Sequence, residues 1–296
     1  MSDSMNISTP TAPAVSSAPS ALDVVRIEPQ NGWQPLDLRE FWRYRELLGV
    51  LAMRDLKVRY KQTALGAAWA IIQPVLTMIV FTIFFGKLGG MAGKVEGGVP
   101  YYIYVFCALL PWQLFAGALT NAGNSLIGSQ NLITKVYFPR LVIPISAILS
   151  GLVDFAIAFI VLIILMIWAG IVPGIAILTL PLFVLMAFTA ALAVGLWLSA
   201  LNVEYRDVRY VIPFLTQFWM FLSPIAYPSS IVPEQWRWLY GLNPMAGVVE
   251  GFRWALLGNV NPPGAMIWVS AVMTILLLIG GAYYFRRMEE NFADRV

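Results

Sequence analysis

The residues able to do chemistry in this chain fall into a few clusters set among long apolar runs. Arg54, Lys57, Arg59 and Lys61 lie within "MRDLKVRYKQ". Clustered guanidinium and ammonium groups pair well with phosphate oxygens, so this group suits an anionic lipid head such as a pyrophosphate. Asn131, Leu132, Ile133, Lys135, Val136, Tyr137, Phe138 and Arg140 form "NLITKVYFPR", where two cations alternate with large apolar side chains. That mixture suits a protein partner or packing at the membrane interface. A second polar turn, "EYRDVRY", carries Glu204, Arg206, Asp207 and Arg209. Asp154 stands alone in "SGLVDFAIAFIV". A charge at that depth costs about 2.5–3.5 kcal/mol unless a partner or water receives it. Either a structural ion pair, proximity to the inner headgroups or a proton-coupling role would account for it.

Catalytic sets are missing. The chain has no histidine, one cysteine (Cys107), and no HExxH, DxD or GxSxG pattern, so no metal site or nucleophile with a histidine base is expected. A P-loop is missing too: in "GMAGKVEGG" Gly93 precedes Lys94, but Leu88 and Val95 occupy the positions that need glycine and serine or threonine. The chain is not expected to be an enzyme or to bind ATP itself.

The elements that must position these clusters are membrane spans. The 296 residues are 59% hydrophobic and 12% charged, with mean hydropathy +0.73, far from ordinary soluble usage. Runs long enough to cross a bilayer, about 20 residues at 1.5 Å each, lie near 66–86, 101–126, 141–171, 175–201, 211–227 and 265–285. The expected fold is an all-α integral membrane protein with six transmembrane helices. Residues 1–35, rich in Ser, Ala, Thr and Pro, are expected to be a disordered cytoplasmic tail. The segment 40–62 predicts an amphipathic interface helix: Arg54, Lys57 and Lys61 share an arc of about 60°, with Met53, Leu56 and Tyr60 on an adjacent one. It is either a topogenic anchor or the receiving site for the lipid phosphate. Residues 228–258, interrupted by Pro228, Pro233 and Pro244, predict an outer re-entrant helix pair before the last span. Most Lys and Arg fall on segments that share a side with the N-terminus, whereas Lys87, Lys94, Arg237 and Arg253 fall on the other. Both termini are therefore expected in the cytoplasm. Aromatics at helical spacing, including Phe81, Phe84, Phe85, Phe218 and Trp219, either form interfacial belts or line a pathway on which sugar rings stack.

The order of these features, with "NLITKVYFPRLVIP", "LNVEYRDVRYVIPFLTQFWMFLSPIAYP" and "LYGLNPMAGVVEGFRWALLG", resembles the membrane subunit of ATP-binding-cassette exporters of the type-2 class. The likeness is strongest to those that export lipid-linked polysaccharides such as O-antigen, capsule or teichoic acid. It covers residues 36–296 as one ABC-2 type transmembrane domain in a bacterial inner membrane. It implies a homodimer joined to two copies of a separate ATPase chain, which would bind ATP and magnesium. It further implies that Asn131 to Arg140 forms a short coupling helix seated on that ATPase; Pro139 with Pro144, by their fixed φ and missing donor, are expected to stop this helix and begin the third span. The 204–210 turn would be a second contact, the outer pair would cap the exit, and the first and fifth spans would line the pathway of a lipid-linked glycan. Export of a small hydrophobic compound, proton-driven transport, and an enzyme acting on lipid-linked sugar through Asp154 or Glu204 are the alternatives. Nucleic acid is not an expected partner.

Overall fold

A computed structural model describes residues 42–61, 66–258, 262, 264–289 and 292. The expected tail at 1–35 lies outside them, as does the start of the interface segment. The described residues form helices and turns without strands, and five helices are long and apolar enough to cross a membrane.

The interface helix α1 (Arg45–Lys61) has Glu46 in its first turn and Arg59 and Lys61 in its last, each matching the pole of the helix dipole it sits on. It is not merely laid on a surface. Leu51 is buried, and Tyr44, Leu47 and Leu48 pack with it against Phe138 and Val142, while Val50, Met53 and Val58 remain exposed. The first span runs Ala68–Leu88: α2 (Gly66–Phe81) passes into a π-helix at Thr82–Leu88.

The second span, α3 (Tyr101–Gly128), is the axis of the subunit. Within it 78% of the most apolar window is buried, against 17–28% in the other four spans. A short α4 (Gln130–Ile133) follows. The third span is two helices, α5 (Val142–Leu149) and α6 (Gly151–Trp168), divided at Ser150. There the Ser150 hydroxyl donates to the Ala147 carbonyl, a back-bond of the kind that bends helices. The fourth span begins with a 3₁₀ turn at Ile175–Thr179 and continues as α7 (Leu180–Glu204), with Pro181 in the first turn where its missing N–H costs nothing.

The run at 211–227 departs from expectation. It forms α8 (Val208–Leu222), only 15 residues and so about 22 Å long. Pro224 forces the preceding Ser223 into extended geometry (φ −97°, ψ 148°), which ends the helix at Leu222. Of the six apolar runs, five form helices long and apolar enough to cross a membrane and the other forms the shorter apolar helix α8.

The segment after it is broken as expected, into α9 (Glu234–Tyr240) and α10 (Pro244–Leu257). The Asn243 side chain caps α10 by accepting the Met245 N–H at 3.0 Å, with Pro244 at the first helical position. Thirteen of the 14 residues of α10 are buried. Broken backbone is tolerated in a membrane protein where protein covers it. The last span is α11 (Gly264–Glu289).

Small residues let these helices approach, since the bilayer supplies no hydrophobic drive between spans. Helix α3 meets α7 where Gly195 faces Ala122, and α7 meets α11 where Gly281 faces the Ala193 carbonyl. A Cβ at residue 195 would lie 2.6 Å from the Ala122 Cβ, and one at 281 would lie 2.3 Å from the Ala193 oxygen. Beside the second contact Trp197 stacks on Tyr284 with ring centroids 4.8 Å apart. Gly281→Ala should therefore destabilise the subunit by about 1–3 kcal/mol, lowering the heat-aggregation midpoint of detergent-purified protein. Gly117→Ala, whose Cβ would meet nothing within 4 Å, should leave that midpoint unchanged or higher.

Candidate functional site

The 130–140 loop is less helical than expected. Only Gln130–Ile133 is α-helical. The Thr134 hydroxyl then donates to the Gln130 carbonyl at 3.0 Å, and Lys135 and Val136 both direct their N–H at Leu132. From Val136 the chain is non-helical up to Pro139, which disfavours the helical region for Phe138 before it. Pro139 follows the end of the short helix, and Pro144 lies in the first turn of α5, where proline is tolerated, so the pair stands at the start of the third span as expected.

The loop divides into a fixed side and a free side. Ile133 and Phe138 are buried, packed with Leu126, Val142, Phe285 and Phe292. Leu132 is half-buried. Arg140 turns inward: its N–H donates to Glu289 Oε1 at 3.1 Å and its guanidinium to the Glu289 carbonyl oxygen. Asn131, Lys135, Val136 and Tyr137 are exposed, Tyr137 at 66%. A hollow of about 230 Å³ is lined by residues 133–138 and Arg140. Of the eight residues expected to meet an ATPase, Ile133, Phe138 and Arg140 thus serve the subunit's own packing. The exposed tip is Lys135 to Tyr137.

In the second turn, Glu204 ends α7 and Arg206 and Asp207 are exposed. Arg209, in the first turn of α8, lies 4.7 Å over the Tyr210 ring and donates to its hydroxyl at 2.8 Å.

The cations of the interface helix are partly neutralised within the chain. Arg54 binds the neighbouring Asp55 at 2.8 Å. Arg59 pairs with Asp154 at 2.9 Å, and the Tyr60 hydroxyl donates to the other oxygen of the same carboxylate. Burial first, then the bond and charge of Asp154, push the Tyr60 phenol up to about 12. It therefore stays protonated as a donor at neutral pH. Asp154 is thus structurally paired, and it ties the end of α1 to the first turn of α6. Lys57 and Lys61 are exposed, with no carboxylate paired to them among the described residues.

The aromatic candidates divide as well. Phe81 is buried, edge-on to Phe85 at 5.2 Å. Trp219 packs on Phe115 at 5.1 Å and donates its indole N–H to Asn243 at 2.8 Å. Phe84 and Phe218 are exposed, and Phe214 stacks on Phe218 at 6.2 Å to extend an apolar stripe along α8.

Sequence reasoning missed the buried pair Glu250–Arg253. It placed Arg253 among the outer-side cations, yet its side chain is fully buried and that of Glu250 is 7% exposed. Arg253 Nη1 meets Glu250 at 2.8 Å, Nη2 donates to the Ile225 carbonyl at 2.8 Å, and the guanidinium lies 3.7 Å from the Tyr104 ring centroid. One side chain thus joins α10, the broken strand of chain after α8, and α3. The signal available was Glu and Arg three apart on an otherwise apolar helix. Arg253→Met should cost about 3–5 kcal/mol by stranding the Glu250 charge. The double change Glu250→Gln with Arg253→Met should recover part of that loss, as read by the aggregation midpoint in detergent.

The chain matches the ABC-2 type transporter family over residues 46–257. It is 29% identical over 262 residues to the O-antigen export system permease protein RfbA of Myxococcus xanthus, covering 88% of this chain and 98% of that one. It is 28% identical over 251 residues to the protein of the same name from Klebsiella pneumoniae, covering 84% and 94%. With the polysialic acid transport protein KpsM of Escherichia coli the identity is 24% over 242 residues, covering 81% and 92%. Five apolar spans with α3 as their axis, the broken segment ending in the buried α10, and a match over most of its length agree: the chain belongs to the ABC-2 type transporter family and is a multi-pass membrane permease.

Proposed function

We propose that this chain is the membrane subunit of an ATP-driven exporter that moves a lipid-linked polysaccharide of the O-antigen kind from the cytoplasmic to the outer face of the bacterial inner membrane. The observation that carries this is near full-length similarity to two permeases named for O-antigen export. Two copies of the chain work with two copies of a separate ATPase, which holds ATP and magnesium. Both termini lie in the cytoplasm, so the 130–140 loop faces that ATPase. Its exposed Lys135, Val136 and Tyr137 and the hollow beside them offer a cationic and apolar surface, the composition that favours a protein contact. Glu204, Arg206, Asp207 and Arg209 form a second, smaller contact.

ATP binding closes the two ATPase subunits, displaces the loop tips and separates the spans. At the inner leaflet the lipid pyrophosphate is received by Lys57 and Lys61, with Arg54 and Arg59 exchanging their carboxylate partners for phosphate oxygens. Phe84 and Phe218, exposed on the first span and on α8, offer apolar ring faces to sugars without polar groups that would hold them in one register. The likeness to KpsM favours, as a second reading, an acidic polymer such as polysialic acid in place of an O-antigen.

Co-purification of the chain with an ATPase subunit, followed by mass spectrometry of the bound lipid, separates these readings: a polyprenyl-linked neutral glycan supports the first and a polyanionic one the second. A wild-type chain that co-purifies with no ATPase would reject both. Lys135→Glu together with Tyr137→Ala should weaken assembly or coupled ATP hydrolysis about tenfold, with the aggregation midpoint of the isolated subunit unchanged.

A further inference from the structure

The inward face of the 130–140 loop is held by the far end of the chain. Glu289, the last residue of α11, accepts the Arg140 N–H on Oε1 at 3.1 Å and binds Arg286 Nη1 through Oε2 at 2.6 Å. Its own carbonyl oxygen accepts from the Arg140 guanidinium, which also lies 5.9 Å from the Phe292 ring. Below these polar contacts Phe285 and Phe292 meet at 5.2 Å, both fully buried, in one cluster with Ile133 and Phe138. The loop tip is exposed, but its two ends are fastened to α11.

The opposite end of the same helix is fastened to the outer pair. The Ser270 hydroxyl donates toward the Gly241 carbonyl at 2.8 Å and lies 3.1 Å from that of Asn243, and it accepts the Gly247 N–H at 3.1 Å. A Cβ at residue 247 would lie 2.7 Å from the Ser270 side chain, so helices α10 and α11 touch with no slack there. Helix α11 therefore joins, over about 29 Å from Glu289 to Ser270, a clamp on the cytoplasmic loop to a clamp on the re-entrant pair. Its interior packs on α7 through Gly281 and the Trp197–Tyr284 stack, which supports it as a stiff element.

We propose that Glu289 is a positioning residue that locks the 130–140 loop to α11, and that α11 carries displacement of that loop directly to the outer helix pair. The proposal rests on the reading of the loop as the ATPase contact. Motion at Lys135–Tyr137 then has a path to residues 241–247 that does not pass through the lipid-exposed α2 or α8.

The test uses the full exporter complex in lipid nanodiscs. Glu289→Ala should assemble with the ATPase and hydrolyse ATP, yet export at least about fivefold less glycan per ATP. Glu289→Gln keeps an oxygen for the Arg140 N–H and should restore much of the coupling. Hydrogen–deuterium exchange supplies a second readout: addition of a non-hydrolysable ATP analogue should change protection at 241–247 in wild type and in Glu289→Gln, but not in Glu289→Ala. Wild-type export per ATP in Glu289→Ala, or an intact response at 241–247, overturns the proposal. Loss of assembly in Glu289→Ala also overturns it, because Glu289 would then shape the docking surface. Should the wild-type chain bind no ATPase, the reading of the loop fails by itself. The clamp is then judged on the isolated subunit, where unchanged exchange of residues 135–141 in Glu289→Ala would refute it.

Discussion

Hydrocarbon offers no hydrogen bonds, and most of what is irregular in this subunit follows from that constraint. Continuous helices meet it at no cost, and five of them do so. The chain between Ser223 and Asn243 cannot, because its prolines interrupt the helical ladder, so its carbonyls need other donors. The structure supplies them from side chains: Arg253 reaches Ile225, Tyr101 reaches Ala226, and Tyr240 and Asn243 reach Leu222. Arg253 can be fully buried only because Glu250 balances its charge and Tyr104 offers a ring face. A charged pair that would be costly by itself is thus the means by which the start of the broken segment, Ser223 to Ala226, is kept inside the protein.

The same constraint explains why the axis of the fold is α3. A helix that is buried on nearly all sides must let its neighbours come close, and glycine or alanine at the crossings permits it. Gly123, Ala122 and Gly195 provide the approach of α7, and the Asn202 amide then reaches the Gly123 carbonyl and Asn124 across it. Outside this axis the helices present apolar faces outward: α2, α6 and α8 expose Leu76, Ile164 and Phe214. In a bilayer those faces meet lipid or another copy at no penalty, so their exposure is compatible with a stable subunit.

How far the fold was legible follows from what each residue's neighbours are. Apolar runs are a local property, and four of the six became spans close to their expected limits; the third acquired a division at Ser150. The fifth ends as a helix at Leu222, short of the expected 227, because hydropathy carries on through Pro224 while helix propensity does not. Local periodicity also placed a helix at α1 and a break at 228–258. What it could not provide was which side chains look inward when partners are distant in sequence. Asp154 finds Arg59 and Tyr60 some 94 residues away, and Arg140 finds Glu289 149 residues away. Arg253 looked solvated because side-counting treats every Lys and Arg between spans as facing water, whereas its side chain is buried. Phe138 and Ile133 looked like contact residues because an apolar side chain in a short loop has the same sequence appearance whether it faces a partner or its own core.

That last ambiguity bears on what a coupling loop must be. A loop that were wholly exposed could bind a partner tightly and still transmit nothing, because free chain absorbs displacement in its own dihedral angles. A loop that were wholly buried could transmit but would have nothing to be pushed by. In the 130–140 loop Ile133, Phe138 and Arg140 fasten the ends and Lys135, Val136 and Tyr137 protrude between them, an arrangement that suits both tasks if the loop has the role proposed above. The fastening partner is a spanning helix whose other end holds the α9–α10 segment through Ser270. Rigid helices joined by a few short, well-packed contacts convey a shift because a close-packed interface repacks in discrete steps and does not deform continuously. The apolar and the basic residues of this loop are therefore better understood by which of these two sides they serve than by their chemical type.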